Sequence, residues 1–137
     1  MPNYSRQIRD AHFDQEQAFP AANADNATAG FDLEAEKGAA EPDLFECELR
    51  IPALPNNTDD TKTVTLTLED SEDGESYAPV DPRIQALVPG VASTGSAART
   101  VRFRLPSRTR RFIRIAAAVE ADGGDNTAAS YGFALIF

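Results

Sequence analysis

Apolar and polar residues alternate in several short stretches of this chain, and a period of two predicts β-strands with one buried face. The clearest stretches are residues 45–51, 63–69, 101–105 and 111–120, and a shorter one covers residues 30–34. No persuasive long helix is present. We predict that the following apolar side chains face the core: Phe45, Cys47, Leu49, Val64, Leu66, Leu68, Phe103, Leu105, Ile113 and Ile115.

The segment from Thr100 to Phe137 is predicted to form a β-hairpin followed by a closing strand. Pro106-Ser107 separates its first two alternating stretches, and residues 122–126 favour a turn because Gly, Asn and Asp tolerate positive φ. Residues 131–137 are apolar on both faces. Such a strand is either covered on both sides or meets another subunit.

Proline and glycine divide the rest of the chain. The Asp73-Gly74 pair predicts a tight turn between two strands, whereas residues 21–29 and 81–96 are predicted as loops, the second a long surface crossing. Short strands with frequent turns indicate an all-β fold. We predict an antiparallel jelly-roll sandwich or barrel over residues 21–137.

Residues 1–20 are predicted to form an N-terminal arm, either extended or a short helix ended by Pro20. An unattached terminus is the alternative. The arm carries large apolar side chains with no obvious place in a single core, so we expect a symmetric homo-oligomer, a trimer in preference to a dimer. The candidate subunit contacts are Tyr4, Ile8, Phe13, Phe19 and Phe137.

Charge is distributed unevenly along the 137 residues, whose net charge is −9. Residues 1–98 hold 6 basic and 19 acidic side chains, a net of −13, and residues 99–137 hold 7 and 3, a net of +4. An acidic protein is not expected to bind nucleic acid in general. No apolar run approaches the ~20 residues of a membrane helix, so no membrane partner is expected.

Seven arginines and no lysine lie between residues 99 and 114. Arginine binds carboxylates with two parallel hydrogen bonds and is enriched at interfaces. Two interpretations remain open: the arginines pair with Glu46, Glu48 or Glu69 of the same chain, or they contact an acidic partner. The candidate partner contacts are Arg102, Arg104, Arg108, Arg110 and Arg111, and Arg108 and Arg110 are predicted at the tip of the hairpin.

Catalytic chemistry has little support in the sequence. His12 is the only histidine, and no Gly-x-Ser-x-Gly motif is present. Cys47, the only cysteine, lies on an apolar strand face, which predicts a small buried side chain and not a reactive thiol. We expect no enzymatic activity and no cofactor.

Two acidic turns are weak candidates for an ion site, because clustered oxygens suit hard cations. They contain Asp70 and Asp73 in one case and Asp122 and Asp125 in the other. The spacing of the first does not match an EF-hand loop, and solvated turns are the simpler interpretation. The sequence leaves the presence of an ion open at both.

Three segments resemble small structural proteins of tailed bacteriophages: Thr63–Gly74, Phe103–Ser107 and Arg111–Ala117. In those proteins a T-L-x-x-S-x-D-G strand and turn precede an L-P-S…R-[FY]-I-R segment. The segments resemble the family of capsid cement, or decoration, proteins with a jelly-roll fold, and the resemblance covers about residues 61–137.

The resemblance implies a non-enzymatic oligomer that binds the major capsid protein on the outside of the shell. We therefore expect the protein to be made in the bacterial host cytoplasm, since its start lacks a signal-peptide pattern, and to be located on the virion surface. A receptor- or carbohydrate-binding jelly roll of a fibre or spike head is the alternative. The lack of Trp disfavours that alternative, and a single His disfavours a cupin enzyme.

Overall fold

The computed structural model describes residues 9–33 and 46–136, and these ranges contain ten β-strands and no helix. They therefore include no helix able to cross a membrane. The strands are β1 (Arg9–Ala18), β2 (Ala24–Ala27), β3 (Phe31–Asp32), β4 (Glu46–Ile51), β5 (Thr63–Ser71), β6 (Ala78–Pro79), β7 (Gln85–Pro89), β8 (Arg99–Phe103), β9 (Phe112–Val119) and β10 (Ser130–Ile136).

The strands form two antiparallel sheets. The first has the order β1-β10-β4-β8. In the second, β9 pairs with β2 and β3 on one side and with β5 on the other, and β5 also pairs with β6 and β7. One apolar cluster contains side chains from both sheets, among them Leu49 and Phe133 from the first and Leu66 and Ile115 from the second. The fold is therefore an all-β antiparallel sandwich.

The predicted core is largely confirmed, since Cys47, Leu49, Val64, Leu66, Leu68, Leu105, Ile113 and Ile115 are buried. Phe103 is partly buried and packs against the cluster. Phe45 lies outside the described residues. Strict alternation with large aliphatic side chains was thus a sound guide to the buried face.

Two predicted loops contain strands. β7 lies within residues 81–96, where Ala86 and Val88 point inward, and it pairs with β5 as an edge strand that tolerates Pro89 at its end. β2 lies within residues 21–29 and pairs with β9 although its residues are Ala, Asp and Asn. In both cases the neighbouring strand supplies the hydrogen bonds that local propensity did not predict.

The described part of the predicted arm is β1, which pairs with β10 of the same chain, so the helical interpretation is wrong there. Phe19 is buried with its ring centroid 5.0 Å from that of Tyr131, and Phe13 lies 6.3 Å from Phe31. The premise that these two phenylalanines lack a place in a single core is therefore wrong. The other candidate subunit contacts lie outside the described residues: Tyr4, Ile8 and Phe137.

The predicted hairpin between the stretches 101–105 and 111–120 is also wrong. β8 pairs with β4 in the first sheet, whereas β9 belongs to the second. The intervening residues 104–111 cross between the sheets. β10 is the central strand between β1 and β4, and residues 131–136 are all buried. Other residues of the same chain therefore cover both faces of β10.

The sandwich has two distinct ends. Segments 19–23, 52–62, 90–98 and 120–129 each connect one sheet to the other, and strand directions bring all four to what we call the four-loop end. Segments 72–77 and 104–111 lie at the opposite end, which we call the arginine end. The Asp73-Gly74 turn joins β5 to its partner β6, as predicted.

Candidate interaction surface at the arginine end

At the arginine end, Arg110 of segment 104–111 binds Asp70 of β5 through several hydrogen bonds. Arg110 Nε and Nη2 donate to Asp70 Oδ1 at 3.0 and 2.8 Å, and the Arg110 backbone N–H donates to Oδ2 at 3.0 Å. Asp70 is 5% exposed, so its carboxylate lies away from water and is satisfied by this pairing. Its hydrogen bond raises the pKa of Arg110 above the ordinary value.

Two further arginines pair with acidic residues on neighbouring strands. Arg111 binds Asp32 with two hydrogen bonds of 2.7 and 2.8 Å. Arg114 Nε donates to Glu69 at 2.8 Å, and its guanidinium lies 4.0 Å from the ring centroid of Tyr77. These contacts combine charge pairing with a cation–π interaction.

Arg102 and Arg104 lie on β8 and pair with acidic residues of β4. Arg102 Nη2 lies 3.0 Å from Glu48 Oε2, and Arg104 Nη2 lies 3.6 Å from Glu46 Oε1. Glu48 is 2% exposed and also accepts a hydrogen bond of 3.3 Å from Arg50 Nη1. Two guanidinium groups therefore contact this buried carboxylate, and Arg50 also pairs with Asp14.

Arg108 differs from the other four candidates, since it has no ion pair or hydrogen bond among the described residues. It is exposed within segment 104–111. The intramolecular interpretation of the arginines thus holds for Arg102, Arg104, Arg110 and Arg111. Contact with a partner remains a prediction for all five, with Arg108 the most available.

The acidic turns use their carboxylates in local hydrogen bonds. Asp73 Oδ1 accepts from the backbone N–H groups of Ser76 at 3.0 Å and Glu75 at 2.9 Å, and from the Ser71 hydroxyl at 2.9 Å. These donors lower the pKa of Asp73 to about 2. Asp125 Oδ1 accepts from the Thr127 hydroxyl and backbone N–H, which lowers its pKa.

Neither turn gathers enough ligands for a conventional metal site. Within the described ranges, no group of three or more His, Cys, Asp or Glu side chains is placed to hold a metal ion. Burial raises the pKa of the Cys47 thiol, which disfavours the reactive thiolate.

The sequence did not predict two acidic partners of the arginines, Asp32 and Asp70. A signal for Asp70 existed: Val64, Leu66 and Leu68 place position 70 on the same inward face of β5. A charged residue in a buried register requires a counter-charge. Asp32 gives no comparable signal, because it is exposed and pairs with a residue distant in the sequence.

No protein-family model matches the sequence, and a search of curated proteins finds no match. Functional inference therefore depends on the short phage-like segments and on the geometry of the folded chain.

Proposed function

We propose that this protein is a structural component of a tailed-bacteriophage virion, a decoration protein that binds the outside of the capsid shell and stabilises it. One observation carries the proposal: the phage-like segments of β5 and β9 form a single unit. Asp70 and Glu69 of the first bind Arg110 and Arg114 near and within the second. Glu69, Asp70 and Arg114, which belong to the segments that resemble the family, thus take part in the ion pairs of this end.

The proposed fold is the jelly roll that the resemblance implies. Its support is the strand order, β1-β10-β4-β8 opposite β2/β3-β9-β5-β6/β7. Each of the four segments at the four-loop end joins one sheet to the other, as two interlocked Greek keys require. An experimental structure that changes this strand order would overturn the assignment.

Arg108 is the proposed anchor to the major capsid protein. The other candidate arginines have their charge balanced by Glu46, Glu48, Asp70 or Asp32, whereas Arg108 projects from segment 104–111 without a carboxylate partner among the described residues. An exposed cation on an acidic protein provides a local attraction for acidic groups of the shell. Attachment should weaken as salt increases, because exposed charges are screened over ~10 Å at 0.1 M.

The test is an Arg108→Ala variant added to capsid shells from which the protein has been removed. We expect lower occupancy by cosedimentation in low salt and an unchanged Tm, since the exposed side chain has no hydrogen bond or ion pair among the described residues. Arg83→Ala is the matched control, because Arg83 is also exposed and has no ion pair among the described residues. Equal occupancy for both variants would refute the anchor role of Arg108.

Self-association remains part of the proposal, with a trimer expected in preference to a dimer. Leu87 and Val91 support it, since they are 49% and 45% exposed near the end of β7. Exposed large apolar side chains favour contact with another surface. Light scattering at micromolar concentration should give a mass near three chains, and a monomer would contradict this part of the proposal.

A further inference from the structure

β8 is an edge strand of the first sheet, and among the described strands it pairs only with β4. In an antiparallel edge strand, every second residue directs its backbone N–H and C=O groups away from the one neighbour. Arg99, Thr100 and Arg102 are exposed, so the strand is accessible to solvent. The side of β8 that faces away from β4, which we call the open edge, therefore offers backbone donors and acceptors to an additional strand.

β7 is an edge strand of the second sheet, and it lies on the same side of the sandwich as β8. Arg99 connects the two edges, since its Nη2 donates to Leu87 O at 3.0 Å. A side chain thus bridges the two sheets on this side of the sandwich, and the space beside it opens toward the core.

A cavity of about 20 Å³ lies in that space. Its wall is mainly apolar and includes Leu66, Ile84, Ala86, Val101 and Phe103. Val101 and Phe103 are on the inward face of β8 and are only partly buried. The volume suits about one water molecule, so it does not admit a free small molecule. Apolar side chains of a strand beside β8 could instead cover Val101 and Phe103.

The outward face of β8 is cationic. Arg102 lies on this face and Arg104 follows the end of the strand, and their side chains are 49% and 55% exposed. Their acidic contacts, Glu48 and Glu46, lie on the β4 side of the strand, which is already paired. The exposed guanidinium groups can therefore attract further carboxylates at the open edge.

β4 shows which residue pattern β8 accepts from a neighbouring strand. Glu48 of β4 lies opposite Arg102, and Leu49 lies opposite Val101. An acidic residue thus meets the cationic outward face of β8, and an apolar residue meets the inward face. A strand on the open edge would contact the same two faces, because both neighbours of a strand lie beside the same side chains.

We propose that the open edge of β8 binds an extended segment of a partner protein in which acidic and apolar residues alternate. Backbone groups supply the hydrogen bonds, acidic side chains lie beside Thr100 and Arg102, and apolar ones pack on Val101 and Phe103. A second copy of β8 is a poor occupant, because antiparallel pairing would bring the arginines of the two copies together. The proposal goes beyond the capsid assignment and does not depend on it, since Arg108 lies outside β8.

An NMR titration of the isotopically labelled full chain tests the proposal, with the capped peptide Ser-Val-Glu-Val-Glu-Ser as the probe. We expect the amide signals of residues 99–103 to shift, and we expect no shift from a matched peptide with Lys in place of Glu. Two forms of the acidic peptide, N-methylated at alternate residues, test for backbone pairing. Only the form whose methyl groups face β8 should lose binding, because only that form lacks the required N–H donors.

Thr100 permits a change of charge at the open edge, because its side chain is exposed and its position lies on the outward face. Thr100→Arg should bind the acidic peptide about threefold more tightly than the unchanged protein, and Thr100→Glu about threefold more weakly. Arg83→Gln is the control and should bind normally. Arg83 is exposed and lines the outer face of the second sheet with Thr67 and Glu69, away from β8.

Three results would overturn the proposal: no shift of the β8 signals with the acidic peptide, equal binding of the Lys peptide, or unchanged binding of both N-methylated forms. Equal binding by Thr100→Arg and Thr100→Glu would also contradict it, because charge at the open edge would then have no role. Shifts of the β8 signals that depend on protein concentration without peptide would assign this edge to a second copy of the chain and would refute the proposed partner.

Discussion

The two ends of the sandwich are held together by different interactions. At the four-loop end, backbone groups bind one another: Leu54 with Ser96, Asn57 with Val91, and Lys62 with Gly90. At the arginine end, guanidinium groups bind carboxylates. Backbone hydrogen bonds and close packing depend little on salt or pH, whereas ion pairs depend on both.

The two ends of this small domain should therefore respond to different kinds of change. The four-loop end should be disturbed mainly by side chains that do not fit, because the backbones of its segments are in direct contact with one another. The arginine end can be disturbed by changes of charge, because it has a buried carboxylate, Asp70, and several exposed ones. The predictions below exploit this contrast, from the largest expected effect to the smallest.

Gly95→Ala should cause the largest loss of stability, about 3 kcal/mol or more. Gly95 has a φ of 75°, and a Cβ there would lie 2.1 Å from the backbone oxygen of Leu54. Gly74→Ala is its counterpart at the arginine end, with a φ of 80° but only the Phe112 ring at 3.3 Å, and should cost about 1 kcal/mol. Denaturant midpoints measure both, and equal losses would contradict the contrast.

Arg110→Ala should reduce the free energy of unfolding by about 2 kcal/mol, because it leaves the Asp70 carboxylate buried and unpaired. The partly exposed guanidinium keeps this below the cost of breaking a fully buried pair. Arg111→Ala should cost about 0–1 kcal/mol, since Arg111 and Asp32 are 47% and 40% exposed. Chemical denaturation at low and high salt measures both losses.

A double-mutant cycle with Asp70→Ala isolates the Arg110 pairing. Coupling should persist in 1 M salt for Arg110 with Asp70, whereas Arg111 should show almost none with Asp32 under that condition. Coupling that disappears for both pairs would show that Asp70 is exposed in solution.

Asp73→Asn should destabilise the protein at neutral pH and have little effect below about pH 2. Folding lowers the pKa of Asp73 from 3.8 to about 2, so the ionised group contributes stability above about pH 4 that is lost as the pH falls toward 2. Asp125→Asn should show the same direction at the four-loop end, with fewer donors involved.

Thermal melts between about pH 2 and pH 7 measure these differences. Asp122→Asn is the control, because no hydrogen bond or ion pair involves that exposed side chain in the described residues. A Tm difference for Asp73→Asn that is independent of pH would contradict the assignment to its charge.

Sequence patterning predicted the strands whose buried face is purely apolar, such as β5 with Val64, Leu66 and Leu68. It did not decide between an extended arm and a short helix for β1, because the half-buried Gln15 binds Gly30 through its amide nitrogen and oxygen, at 2.6 and 2.8 Å, where a predictor expects an apolar side chain. The hydrogen bonds that satisfy the half-buried Gln15 amide are visible only after folding.

Local patterning did not predict which strands pair with each other. Residues 101–105 and 111–119 have the alternation of a hairpin, yet they belong to different sheets. Alternation reports which face is buried and contains no information about the neighbouring strand. The prediction for the five candidate arginines had the same limit. Their residue type predicted carboxylate partners, but only the fold showed that Arg108 is the one candidate without such a partner among the described residues.

The central position of β10 has a consequence for synthesis on the ribosome. Among the described strands β1 pairs only with β10, so more than a hundred further residues must be synthesised before this pair can form. During that time the edges of β1 and β4 are open to wrong partners, including other nascent chains. Insertion of β10 between them is therefore a late step that completes the sheet, and conditions that delay it should favour aggregation over folding.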